Sequence, residues 1–286
     1  DVTNLQRHVG TLRETAIQGL EVVAKADATT TDEQRYNLYY IKGYSYLLAG
    51  EYFRALPVEN GGEVKGWKEN LNLAISTFTE ALKFTSDTDE TAFINTLIAR
   101  AYYRLGDKVN AVKYASNVLT LSTDFTKQVT FDGENNVISS IQGYIYGTNF
   151  QPLPRLDFLD PKYFQTKAKE ARPICIAKAE EPYLILAEAA LADNDVNGAK
   201  GFLKTLLTLV SNRPVATDIN DQLEGRYNGG YKEYPNSSEY RVAASSEDEF
   251  RSGLVLDRQS PHLISVPYIS GTSVTEEMID APTTVR

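Results

Sequence analysis

The chain has 286 residues and is 42% hydrophobic, enough apolar content for one large buried core or two ordinary ones. Its 38 acidic residues outnumber its 29 basic ones, the formal net charge is −9, and no stripe of Lys and Arg stands out. Nucleic-acid binding, which needs cations to displace the counterions of phosphates, is excluded on that ground, and anionic membrane surfaces are disfavoured with it.

The chain opens "DVTNLQRH" without an initiator Met, which leaves room for a leader or a lipid-attachment cysteine ahead of it. Residues 3–25 are predicted to form a helix with Leu5, Leu12, Ile17 and Leu20 inward. "TTTDEQ" then caps a Tyr-rich helix over 33–56. The helical spacing of Tyr36, Tyr39, Tyr40, Tyr44 and Tyr46 reads as interhelix packing. "PVENGGEVKG" is expected to be a loop, followed by helices over 67–84, 89–105 and 107–121. The stretch 122–165 lacks a helical period; "NVISSIQ" reads as a short strand and "YIYGTNFQPLPRLDF" as a loop. The single cysteine, Cys175, permits no internal disulfide and no cysteine-based zinc site, and within "PICIA" it reads as a small buried hydrophobe. One cysteine suits a reducing cytosol and a bacterial exported protein equally. Helices are predicted over 180–193, with Pro182 in the first turn, and over 195–211. Beyond 212, Gly, Pro, Asn and Ser accumulate, which points to irregular structure with short helices near 217–225 and 247–251 and a partly mobile tail from 270. No apolar run is long enough to span a bilayer as a helix.

One turn recurs. "LLAGEYFRA", "YRLGDKVNA" and "LADNDVNGA" align without a gap on Ala55, Ala111 and Ala199. Small residues, Gly43, Ala99 and Ala187, stand twelve positions ahead of those alanines, as two closely approaching antiparallel helices require. The turn pairs Gly50-Glu51, Gly106-Asp107 and Asn194-Asp195 can end one helix in the left-handed conformation and cap the next with an acid. The expected fold is all-α, tetratricopeptide-type helical hairpins forming a right-handed scaffold, with irregular loop-rich insertions. The copies are unevenly spaced, unlike a regular solenoid of about 34-residue repeats. The expected organisation is a single domain over 1–286, its hairpin scaffold at about 33–211 and a loop-rich C-terminal part at 212–286.

Catalytic and metal motifs are scarce. His8 and His262 lie near opposite ends of the chain, and "QSPHLIS" places His262 beside Ser260 without a nucleophile elbow or a matched acid. Neither a zincin motif nor a phosphate-binding glycine loop occurs. "DNDVNG", Asp193 to Gly198, imitates the first half of a calcium loop, but its twelfth position is Lys204 where calcium needs a bidentate Glu. The carboxylate pairs in "AEEPY" and "SSEDEF" read as solvated or ion-paired acids, and the separation on which a glycosidase depends cannot be read from sequence. No cofactor or metal is expected.

Aromatic residues in polar loops carry the positive signal: Trp67, Tyr144, Tyr146, Phe150, Tyr227, Tyr231, Tyr234 and Tyr240 lie in or beside stretches rich in Gly, Asn and Ser. They either fold back onto the core or stay available to stack on sugar rings. "EGRYNGGYKEYPNSSEYR", Glu224 to Arg241, has no apolar period; Gly229-Gly230 admits close backbone approach, and Asn228 and Asn236 can each donate and accept. The candidate ligand site is therefore Tyr227, Tyr231 and Tyr234 with Asn228 and Arg226, joined by Trp67 and Tyr146 from other loops.

"KAEEPYLILAEAAL", Lys178 to Leu191, resembles the A-E-x-Y-L-x-x-A-E-A signature of the SusD/RagB-like outer-membrane lipoproteins of Bacteroidota, with Glu181, Tyr183, Ala187, Glu188 and Ala189 in its places. "YYIKGYSYLLAGEYFRALPV" is similar to that family's aromatic helix and its outer P-V loop, "TLIARAYYRLGDKVNAVKYASNVL" to its most regular hairpin, and "GENNVISSIQ" to the stretch that follows. The chain is shorter than most members and lacks the usual W-x-D-L-[KR] phrase near its C-terminus, so the scaffold carries over better than the specificity. The resemblance implies a lipid-anchored, surface-exposed, non-catalytic protein of the outer membrane. Such a protein captures oligosaccharides, in some members peptides, for a TonB-dependent outer-membrane transporter. A tetratricopeptide-type adaptor that binds a peptide or protein segment is the alternative. Glu181 and Glu188 are expected to tie insertions to the hairpins rather than to transfer protons.

Overall fold

Helix α1 (Val2–Gln18) runs on through a π turn, Gly19–Val23, and a last α-helical turn, Ala24–Ala26. Its buried stripe is Val9, Arg13, Ala16, Leu20 and Ala24. The inward face is thus rotated from the expected one: Leu5 is exposed, and Leu12 and Ile17 are only partly covered. Leu5 and Leu12 line a shallow apolar groove with Leu38 and Ile41. The structure is a computed structural model and describes residues 2–132, 137 and 173–213. By internal contacts the chain divides into two units, Asp1–Lys127 with Ala177–Val210, and Gln128–Ile176 with Ser211–Arg286. Nearly all described residues lie in the first, which is all-α and built from helical hairpins.

Helix α2 (Asp32–Tyr52) starts at a capping box: the Gln34 N–H donates to Thr31 Oγ1 at 3.2 Å, and the Thr31 N–H donates to Gln34 Oε1 at 2.8 Å. Strands β1 (Ala55–Pro57) and β2 (Val64–Gly66) form an antiparallel hairpin with Ala55 opposite Gly66 and Pro57 opposite Val64. Helix α3 (Trp67–Ala81) follows directly, with the Glu69 side chain accepting from the Gly66 N–H at 2.9 Å, and a 3₁₀ turn extends it through Phe84. The first hairpin of helices is therefore α2 against α3, with β1 and β2 as its connection. Ala55 is an exposed strand residue and not the partner of Gly43 that the aligned turns suggest. Gly43 instead faces Phe78 of α3, where an added Cβ would stand 2.6 Å from the ring.

Helix α4 (Thr88–Leu105) is capped by Asp87, which accepts from the Glu90 N–H at 2.8 Å. It ends at Gly106 with φ +76°, where the Gly106 and Asp107 N–H groups donate to Tyr103 O and Tyr102 O at 3.0 Å. Asp107 then caps α5 (Lys108–Leu121) by accepting from the Asn110 N–H at 3.1 Å. This is the expected second hairpin, and Ala99 and Ala111 share one buried cluster with Ala115, Ile185 and Leu186. Beyond it, β3 (Thr126–Val129) pairs with β4 (Ile174–Lys178), and Asp132 bridges Val137. The third hairpin is α6 (Glu180–Ala192) and α7 (Val196–Ser211); its turn passes through Asn194 with φ 60°, and Ala187 and Ala199 are both buried. The core of this unit is centred on α2, α3 and α4, where Leu47, Leu71, Phe78, Phe93, Ile94, Leu97 and Ile98 are fully buried. Tyrosines of α2 pack into it as their spacing predicts: Tyr40 lies 6.4 Å from Tyr36 and 6.0 Å from Tyr44 between ring centroids, and edge-on to Phe93 at 5.1 Å.

Candidate functional site

The acids of the "AEEPY" run are engaged in the scaffold. Glu181, in the first turn of α6, receives Arg100 of α4 in a bidentate pair: Nε–H donates to Oε1 and Nη2–H to Oε2, both at 2.6 Å. About two turns further along the same face, Glu188 accepts from the Tyr103 hydroxyl at 2.9 Å. Both signature acids therefore tie α6 to α4, across 81 and 85 residues of sequence. Glu180, missed as a core residue by sequence reasoning, is buried on the other side of the helix start with Lys178 Nζ at 3.5 Å. Burial pulls the Arg100 guanidinium down, but the hydrogen bonds and charge of Glu181, with Glu51 and Tyr44, outweigh it and hold its pKa above the ordinary value. Glu51 of α2 shows the opposite balance. Burial raises its pKa, Arg100 and Arg104 lower it, Glu181 adds repulsion, and the net shift is upward.

A second ionic link joins α2, α4 and β3: the Tyr36 hydroxyl donates to Glu90 Oε2 at 2.5 Å and the Lys127 ammonium to Glu90 Oε1. Burial, then the Glu90 bond, push the Tyr36 hydroxyl far above its usual pKa. Both clusters are fixed contacts that set how the helices meet.

Among the candidate ligand residues, Trp67 is the one that lies within the described residues. It opens α3 at the foot of the β1–β2 hairpin, its backbone N–H donates to Arg54 O at 3.0 Å, the residue is 36% exposed, and Lys68 Nζ lies 5.3 Å from the ring centroid. Tyr146, Arg226, Tyr227, Asn228, Tyr231 and Tyr234 lie outside the described residues, as does His262. The calcium-like "DNDVNG" is a helix-capping turn: Asp195 Oδ1 accepts from the Gly198 N–H at 2.8 Å, and Asp193 pairs with Lys108. Cys175 is exposed on β4, contrary to its reading as a buried hydrophobe, and its sulfur accepts from Gln128 Nε2 at 3.7 Å.

No family model matches the chain, and no curated protein matches it. Its structure is similar to that of a SusD-like carbohydrate binding protein from Bacteroides vulgatus, with a TM-score of 0.50 and 14% identity over 76% of this chain and 62% of that one. The fold is that of the SusD-like proteins. A SusD superfamily protein from Bacteroides thetaiotaomicron also matches, with a TM-score of 0.42 and 14% identity over 78% of this chain and 68% of that one. The chain spans about 62% of the length of the first of these structures. Within the SusD-like fold, the aromatic segment ending in "ALPV" is α2 with β1, the regular hairpin is α4 with α5, and the signature segment is the end of β4 with α6.

Proposed function

We propose that this protein belongs to the SusD/RagB-like family and is a non-catalytic binding protein for oligosaccharides. In this reading it captures glycans at the cell surface for a TonB-dependent outer-membrane transporter and is held to the outer membrane by a lipid anchor. The observation that carries the reading is the coincidence of fold and signature. A SusD-like hairpin scaffold has Glu181, Tyr183, Ala187, Glu188 and Ala189 of the segment resembling the signature on α6, with Glu181 and Glu188 bound to Arg100 and Tyr103 of α4. Acids engaged in this way are positioned to hold a scaffold together. Among the described residues no helix is long and apolar enough to cross a membrane.

The sugar platform of this proposal is the segment from Glu224 to Arg241, with Tyr227, Tyr231 and Tyr234 stacking on sugar faces, Asn228 and Arg226 bonding hydroxyls, and Trp67 and Tyr146 contributing from other loops. A glycan array run on the purified protein, beside affinity capture of outer-membrane transporters from the source cells, tests both halves. Binding to a restricted set of oligosaccharides together with recovery of a TonB-dependent transporter supports the reading. Recovery of a soluble protein partner with no glycan bound would favour the adaptor and remove it.

A further inference from the structure

Arg13 occupies a core position of α1, between Val9 and Ala16, and is only 4% exposed. A cation on a buried stripe is costly unless its donors are satisfied. Here the Nε–H and Nη1–H donors of Arg13 have no hydrogen-bond partner. The guanidinium carbon lies 5.5 Å from the Tyr46 ring centroid, and the Tyr46 hydroxyl in turn donates to Val58 O at 3.2 Å. Burial works against the Arg13 charge, while Tyr46 and Glu14 work for it.

Arg13 lines a cleft of about 630 Å³ between α1 and the loop that joins β1 to β2. Gln6, Arg7, Glu14, Glu59 and Asn60 line it as well, beside Leu56 and Pro57, so both sides carry polar groups on a partly apolar wall. The loop is fixed to α1 by the Asn60 N–H, which donates to Glu14 Oε1 at 2.7 Å. Neither carboxylate of the lining reaches the two unpaired donors of Arg13.

We propose that this cleft binds a sugar acid, with the sugar's single carboxylate received by the Arg13 guanidinium and its hydroxyls by Glu59, Asn60 and Gln6. A planar carboxylate matches a guanidinium fork of Nη2 with either Nε or Nη1 and so supplies an acceptor to one of the two buried donors that lack one. The two glutamates select the rest of the ligand. Sugar hydroxyls can donate to them, whereas a second carboxylate of a polyanion would be repelled. The proposal rests on the glycan-capture reading only for the sugar that carries the carboxylate.

The test is a calorimetric titration of the full chain at low salt with sialyllactose and with glucuronosyl-xylose, each bearing one carboxylate. The neutral methyl ester of each sugar and a blocked Gly-Glu-Gly peptide serve as controls. Two variants accompany the wild type. Arg13→Met removes the cation at similar volume. Gly10→Leu fills the cleft from a helical position where an added Cβ meets nothing within 4 Å. At least one sugar acid should bind the wild type, its ester at least tenfold more weakly, and both folded variants should lose at least tenfold. Arg13→Met should keep or raise the melting temperature, because an unpaired buried charge has been removed. Equal binding of acid and ester, unchanged affinity in either variant, no binding of either acid, or a lowered melting temperature in Arg13→Met each overturns the proposal. Peptide binding as tight as that of the sugar acid overturns the sugar assignment. Neutral oligosaccharides that bind through Tyr227 and Tyr231 while both acids fail would sink this inference and leave glycan capture standing; failure of the neutral sugars alone would do the reverse.

Discussion

Replacing Glu181 by Gln keeps the shape of the side chain and removes the charge that holds α6 to α4. Two charge-assisted bonds of 2.6 Å are lost or weakened, and Arg100 stays in place with a side chain only 19% exposed. Removing one partner of a fully buried pair costs about 3–5 kcal/mol. This pair is not fully dry, since Glu181 is 25% exposed, and Glu51 remains beside Arg100 as a second counter-charge, so the loss should be about 2–3 kcal/mol. Urea unfolding followed by circular dichroism measures it, and thermal unfolding should show a fall of roughly 4–12 °C. A double-mutant cycle with Arg100→Met isolates the pair: the two substitutions together should cost clearly less than the sum of the singles. A loss below about 0.5 kcal/mol, or strict additivity, would show that Glu181 and Arg100 do not hold the hairpins together.

Two glycines of the same helical array should respond in opposite directions to Ala. Gly43→Ala drives a Cβ to 2.6 Å from the fully buried Phe78 and should cost about 1–3 kcal/mol despite better helix propensity, whereas Gly10→Ala enters open space and should gain about 0.5–1 kcal/mol in the same unfolding assay. Glu51 supplies a pH dependence. Its folded pKa lies above the unfolded one, so the folded protein holds the proton more tightly and this residue's contribution to stability falls as pH rises from the unfolded value through the raised folded value. Urea midpoints measured across that range should show Glu51→Gln more stable than wild type at neutral pH and equal to it in acid. Glu188→Gln, at an exposed contact with Tyr103, should change stability by no more than about 0.5 kcal/mol; loss of a measurable hydrolytic activity in that variant, with folding intact, would count against a non-catalytic protein.

Helix positions were legible because apolar period, caps and breakers agree in this chain. The Thr31–Gln34 box, the Asp87 cap and the Gly106-Asp107 turn are local chemistry, and each marks a boundary within a residue or two of where sequence places it. The first copy of the repeated turn misleads because identical letters serve different purposes. Gly106 ends a helix at positive φ, while Gly50 lies inside α2, where an added Cβ would stand 2.6 Å from Leu71 and 2.9 Å from Trp67 O. Gly50 thus admits the close approach of α3 rather than a turn. The chain then becomes extended before Pro57, which disfavours helix at Leu56, and Ala55–Pro57 pair as a strand. Small residues at a matched spacing cannot distinguish these cases. Arg13 was invisible for a related reason. Counting apolar residues on α1 selects Leu5 and Leu12, whereas the face that meets α2 includes an arginine among Val9, Ala16 and Leu20. The signal was present as a cation four positions after Val9 and three before Ala16. Partners for Glu181 and Glu188 were beyond reach because they come from another hairpin, although their shared helical face was readable from their spacing.

The most direct measurement of glycan capture is a calorimetric titration of the purified chain with an oligosaccharide selected on the array, with the sugar recovered afterwards and analysed by mass spectrometry. Saturable binding, lost in a folded Tyr227→Ala/Tyr231→Ala variant and accompanied by recovery of the sugar intact, is the result expected of a non-catalytic binding protein with its platform in that segment. Cleaved sugar in the recovered fraction, or absence of saturable binding to every oligosaccharide tested, would contradict it.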